Sequence, residues 1–319
     1  MNKTIDLEGN PLKTQSYLKL SLTKLFKKPT GLICLGLIVT MYGAGILAPV
    51  VTPYDYNEQN LDESRNSPSF THWFGTDRLG RDILTRVIYG LRTTVIITIT
   101  SLLGGSLLVG ITMGLISGYY GKWIDGIIMR IGEVTSSFPD IFLVLLIVST
   151  VKPRIVSSVM NWDGWIDGEA LIRLGIIDYA VIAFALSIFS WFGMARLVRG
   201  QVLQIREQQY IESAIAIGAS TPRVLLRHIL PNILGPVIVS ISTGLAGIAG
   251  AEIVLSWIGI GIQPPTPSLG VMIFENGNIS VLRTNPHMIL FPVGIVGLLL
   301  FTFNLLGDSL IDVFNPRTR

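Results

Sequence analysis

Long stretches without a charged side chain constrain this chain more than any motif does. Gly31–Val51, Thr93–Gly121, Tyr179–Ala195 and Ile229–Ala251 contain no Asp, Glu, Lys or Arg, and in Thr284–Gly307 only His287 can carry charge near neutral pH. About 20 apolar residues in a helix cross the hydrocarbon core of a bilayer. Ile141–Val151 is shorter, but it extends backward through Trp123–Asp140, where charges are scattered. The pattern predicts six helices at about 31–51, 92–118, 124–151, 179–202, 229–260 and 287–311. Composition agrees: charged residues are 14%, mean hydropathy is +0.58, and 33 of 319 residues are glycine. Glycine is frequent where helices pack closely in lipid. These values exclude a disordered chain and a plain soluble enzyme, and the expected class is an all-α membrane protein.

Orientation follows from Lys and Arg in the loops. Segments 1–30, 119–123, 196–228 and 312–319 carry 14 basic residues in 76 positions, whereas 52–91, 152–178 and 261–286 carry 8 in 93. Both termini and the loop 203–228 are therefore expected in the cytoplasm. Lys24, Lys27 and Lys28 before the first apolar run also allow a signal peptide. The run is long enough to span, however, and some 30 residues precede it, so an anchor is expected. The chain divides into a cytoplasmic tail (1–30), a first helix with a long extracytoplasmic loop (31–91), the membrane domain (92–312) and a second tail (313–319). The net charge of +3 is explained by basic residues flanking spans and implies no nucleic-acid partner. The single cysteine, Cys34, excludes an intrachain disulfide and a Cys-based metal cluster.

The loops are unequal. Thr52–Leu91 is too long for a passive connection; it ends in His72–Asp82, and Ile83, Leu84, Val87 and Ile88 recur beside Arg86 at the spacing of an interfacial helix. Lys152–Asp178, with Trp162 and Trp165, reads as a capped surface excursion, and Gln263–Pro267 turns the fifth helix back toward the sixth. In the loop 203–228, residues 207–217 suit a short helix, Gly218 a C-terminal stop, and Thr221 a cap for a helix with Pro222 at its first position. Ser213, Ala214, Ala216 and Ala219 form a small, smooth surface, with Glu212 as its one charge. An amphipathic helix lying on lipid is the alternative reading.

Ionisable residues within predicted spans are candidates for lining a pathway. Glu252 interrupts an apolar run, and its alternative is a structural bond near the outer surface. Arg130 stands five and three residues from Asp125 and Glu133, which suits structural pairing as well as a pathway. Arg196 and Arg199 suit the C-terminal end of the fourth helix. His72, His228 and His287 show no ligand spacing, so no metal site is expected. No His-Glu-x-x-His is present, and Gly114–Gly118 lacks the spacing of a serine elbow, so an intramembrane enzyme finds no support; nor does a passive channel.

Glu212-Ser213-Ala214, Gly218 and His228-Ile229-Leu230-Pro231 keep the spacing of the Glu-Ala-Ala…Gly…Ile-x-Leu-Pro motif of ATP-binding-cassette importer permeases. Over nearly its whole length the chain resembles the C-type permease subunits of the dipeptide, oligopeptide and nickel importers. Phe74-Gly75-Thr76-Asp77 with Gly80-Arg81-Asp82 is similar to their external signature. Met129-Arg130, Glu133 and Phe138-Pro139 resemble their third helix; Trp191, Ala195-Arg196 and Val198-Arg199-Gly200 lead into the loop as in those subunits. Ala251-Glu252, Leu255-Ser256, Gly259, Gly261 and Gln263–Ser268 form a further block, and Leu306-Gly307-Asp308, Asp312 and Asn315-Pro316-Arg317 close the chain. Leu269 stands where Trp is usual, Asn315 where Asp is usual, and 152–178 is longer than typical.

The resemblance implies a type I importer permease (MetI-like) fold with six transmembrane helices in a bacterial inner membrane. It implies a second homologous permease, two cytoplasmic ATPases that bind ATP and Mg2+, and an extracytoplasmic solute-binding protein. Glu212, Ser213, Ala214, Gly218, Ala219, Leu230 and Pro231 would couple to an ATPase, and Gly75, Thr76, Asp77, Gly80, Arg81 and Asp82 would form the external signature. The solute would be a di- or oligopeptide, with nickel or another small solute as the alternative. The chain has no Walker A sequence, so ATP is expected on the partners.

Overall fold

In the computed structural model, residues 23–161 and 167–314 are described. Trp162, Trp165, most of the N-terminal tail and the Asn315-Pro316-Arg317 block lie outside them. Six helices are long and apolar enough to cross a membrane: α1 (Pro29–Ile46), α2 (Ile83–Tyr120), α4 (Asp140–Met160), α6 (Ile176–Ile205), α8 (Thr221–Trp257) and α11 (His287–Phe314). Shorter helices connect them: α3 (Lys122–Ser136), α5 (Gly168–Arg173), α7 (Gln209–Ala216), α9 (Leu269–Asn276) and α10 (Ile279–Thr284). No β-strand occurs among the described residues.

Several boundaries differ from the sequence reading: the first span ends at Ile46, and the third runs on to Met160, into the stretch read as a surface excursion. The second span starts at Ile83, without a separate interfacial helix, because Asp82 caps it by accepting from the Thr85 amide (2.7 Å) and buried carboxylates pair with Arg86. The third helix is broken after Ser136. Pro139 has no amide hydrogen to donate and takes an extended conformation (ψ 121°), and a new helix starts at Asp140. The fifth helix starts at Thr221 with Ser220, not Thr221, at the cap position, and it ends at Trp257. Gly259 (φ +86°) then turns the chain before the proline run is reached.

Helix α2 lies along α6, and glycines set the approach. A Cβ at Gly110 would stand 2.8 Å from the Met194 Cβ, one at Gly114 2.6 Å from that of Val198, and one at Gly118 2.7 Å from that of Val202. Gly105 meets Ser187 and Ser190 in the same way. The α6 positions step by four (190, 194, 198, 202), while the α2 glycines step by five and then by four. Leu102–Gly110 forms π turns, which take up the extra residue and bring Gly105 into line with the others.

The apolar core has separate ends. Met41, Val87, Leu269, Met288 and Phe303 join α1, α2, α9 and α11. Val198, Val202, Ile211, Val224 and Ile233 join α6, α7 and α8. Between them, Ile97, Val148, Ile182 and Leu255 hold α2, α4, α6 and α8 together. Phe142 and Leu146 on α4 and Phe301 on α11 are exposed, as suits apolar groups in contact with lipid or a second subunit.

Candidate functional site

The loop 203–228 is built on a short amphipathic helix. Ile211 and Ala214 of α7 are buried, whereas Glu212, Ser213, Ile215 and Ala216 face outward and Ile217 beyond them is 87% exposed. The Gly218 amide donates to the Ile215 carbonyl (2.9 Å) and that of Ala219 to Ala214 (3.0 Å), a Schellman ending that requires the left-handed conformation Gly218 adopts (φ +89°). No atom lies within 4 Å of a Cβ placed on Gly218, so its conformation, not crowding, demands glycine here. Arg206 ties the start of the loop to α2 through the Gly118 carbonyl (3.0 Å). Leu230 and Pro231 follow the π turns Val224–Ile229 inside α8. Pro231 has no amide hydrogen to donate to the preceding turn, and beside it the Asn232 side-chain amide donates to the His228 carbonyl (2.6 Å).

At the opposite end, Asp77 and Arg81 of the signature enter a buried ionic network. Asp77 Oδ2 accepts from Arg81 Nε (2.7 Å) and Arg86 Nη1 (2.6 Å), and its Oδ1 accepts from the Leu79 and Arg81 amides (2.8 and 3.1 Å). Glu275 of α9 completes it, accepting from Arg81 Nη2 (3.3 Å) and Arg86 Nη2 (3.2 Å). Asp82 meets His72 Nδ1 at 2.9 Å, and Thr76 Oγ1 receives the Asn66 amide and donates to the Glu63 carbonyl. Gly75 (φ +77°) and Gly80 (φ +71°) are left-handed and pressed against Asn66 with His287 and against Asn60, respectively. His72 and His287 thus belong to the same loop assembly.

The intramembrane candidates separate. Glu252 is fully buried and accepts from Thr94 (2.9 Å), Ser256 (3.0 Å) and Ser268 (2.9 Å), joining α2, α8 and the cap of α9. Arg130 and Glu133 pair loosely at 3.6 Å on an exposed face of α3. Asp125 bonds Ser117 and Arg199, not Arg130. Arg199 is therefore held by an ion pair inside α6, and Arg196 lies over the Phe192 ring, 4.5 Å from its centroid; neither ends the helix.

A cleft of about 460 Å³ opens among α2, α4, α6 and α8, lined by Ser106, Asp140, Ser190, Ser240, Thr243 and small or apolar neighbours. Sequence reasoning passed over both Asp140 and Glu275. Each left a signal: Asp140 is the single acid opening an uncharged run, and Glu275 is the lone charge in an apolar stretch facing three clustered arginines.

Residues 110–319 match the family described as binding-protein-dependent transport system inner membrane component, and residues 16–68 match the N-terminal TM domain of oligopeptide transport permease C. The chain belongs to the binding-protein-dependent transport inner membrane components, and is a permease component of ATP-binding-cassette importers and a multi-pass inner-membrane protein. It is 34% identical over 296 residues to the dipeptide transport system permease protein DppC of Alkalihalophilus pseudofirmus, covering 93% of this chain and 88% of that protein. It is 35% identical to the oligopeptide transport system permease protein OppC of Bacillus subtilis (91% and 85% covered). To the glutathione transport system permease protein GsiD of Pectobacterium atrosepticum it is 37% identical (88% and 85% covered).

Proposed function

We propose that this chain is one of two permease subunits that form the pathway of an ATP-driven importer of di- and oligopeptides. The loop 203–228 couples that pathway to cytoplasmic ATPase subunits, which bind ATP and Mg2+, and an extracytoplasmic binding protein delivers the solute. The observation that carries the coupling role is α7 itself. One face is anchored in the core through Ile211, and the other presents Glu212, Ser213, Ile215 and the open Gly218 turn to a partner. ATP-driven closure of the ATPases would then shift the anchored helix pair, because nucleotide binds one global state better than the other. The signature network holds the 52–82 loop as a rigid platform at the opposite end, on the side where the binding protein docks.

The peptide reading draws support from relatives named for dipeptide, oligopeptide and glutathione transport, three ligands with a peptide backbone. Mass spectrometry of the ligand that copurifies with the cognate binding protein, followed by its uptake into proteoliposomes holding the whole complex, tests it. Peptides support the reading; nickel or a non-peptide solute rejects it and leaves the importer class intact.

A further inference from the structure

The central cleft contains one ionisable side chain. Asp140 lies exposed at the start of α4, and among the described residues it has no ion-pair partner and no side-chain hydrogen bond. It does not cap its own helix. A carboxylate at this depth is costly unless it faces water or a cation. The cleft meets α6 at Ser190, near the middle of that span, and α8 at Ser240 and Thr243.

Three of the four hydroxyl groups that line the cleft with Asp140 donate to backbone carbonyls. Ser106 Oγ donates to the Ser190 carbonyl (3.1 Å), Ser190 Oγ to Ser187 (3.4 Å), and Thr243 Oγ1 to Ser240 (3.2 Å). With those protons committed to the backbone, lone pairs remain for a ligand that donates. An anionic carboxylate beside hydroxyl acceptors selects a cationic group rich in N–H donors. The volume falls in the range of small-molecule sites, roughly 300–1,000 Å³.

We propose that Asp140 receives the cationic group of the transported solute, the N-terminal ammonium of a peptide, in the cleft between α2, α4, α6 and α8. The inference rests on the peptide-import reading above. It makes Asp140 a solute-binding residue of the pathway and assigns Glu252 to the scaffold.

Proteoliposomes holding the whole transporter and its binding protein, assayed for radiolabelled dialanine uptake, provide the test. Asp140→Asn is expected to lower uptake at least about tenfold, the scale of one charge-assisted bond. Asp140→Glu should stay within about threefold of wild type. In a Cys34→Ser background, Asp140→Cys should be impaired. A sulfonatoethyl methanethiosulfonate, which restores the negative charge, should rescue it, and the trimethylammonium reagent should not. Wild-type uptake by Asp140→Asn overturns the inference and leaves the peptide reading standing. Loss of assembled complex in the Asn and Cys variants alike assigns Asp140 to folding and also overturns it. If wild-type complex takes up no peptide, neither dialanine nor one that copurifies with its binding protein, the peptide reading falls and the inference falls with it.

Discussion

Asp77 and Glu275 together neutralise Arg81 and Arg86, and all four side chains are nearly or fully removed from water. Removing one partner from such a set leaves a buried charge uncompensated, at a cost of about 3–5 kcal/mol. Glu275→Gln is therefore expected to lower the thermal midpoint and yield of the purified complex. Arg78→Ala should change little, because Arg78 is half exposed and 3.7 Å from Glu275. Equal midpoints for the two variants would count against the network. The motif marks Asp77, Arg81 and Asp82; Glu275 shows in the sequence only as a lone charge, and its pairing is not readable because it lies 189 positions from Arg86 and only the packing of α9 brings it there. A second charge effect is readable in pH. Arg199 and then Ser117 hold the Asp125 carboxyl below the usual carboxylate range, against its partial burial. A depressed carboxylate stabilises above its unfolded pKa, and the contribution is lost as pH falls through the folded value. Asp125→Asn should thus lower the thermal midpoint at neutral pH, and the gap to wild type should close on acidification. A gap that widens toward acid would reject the pairing.

Six uncharged runs place the six spans because the bilayer penalises charge along a helix. What those runs hide is register. The sequence shows glycines at 105, 110, 114 and 118, but nothing in it announces that π turns absorb the odd step so that all four meet α6. The break in the third helix was readable from Pro139 in principle; the charges of Trp123–Asp140 instead suggested one interrupted span. A side chain at Gly114 would drive α2 off Val198, and overpacking costs about 1–3 kcal/mol or more. Gly114→Leu is expected to reduce assembled complex severely, whereas Gly126→Leu, with nothing within 4 Å of its Cβ, should leave the amount unchanged. Quantifying both by fluorescence-detected size exclusion checks this; equal yields would reject the close contact.

Across the whole molecule, the ionic loop assembly and the loop 203–228 sit at opposite ends of the bundle. The basic-residue bias predicts that the latter end, with both termini, faces the cytoplasm. In a Cys34→Ser background, a cysteine at position 60 should label from outside only and one at 215 from inside only; the reverse pattern rejects the orientation.

Coupling through the loop 203–228 is the central claim, and the amount of ATPase retained on affinity-purified permease tests it most directly. Gly218→Val forces a β-branched residue into a left-handed turn, which costs roughly 1 kcal/mol or more and misdirects the start of α8. Glu212→Lys reverses the exposed charge of α7, and opposed like charges at an interface cost several kcal/mol. The double variant is predicted to reach the membrane and pair with the second permease, yet to lose the ATPase subunits and ATP-driven uptake. Stoichiometric ATPases with normal uptake would contradict the account and make α7 a lipid-surface helix.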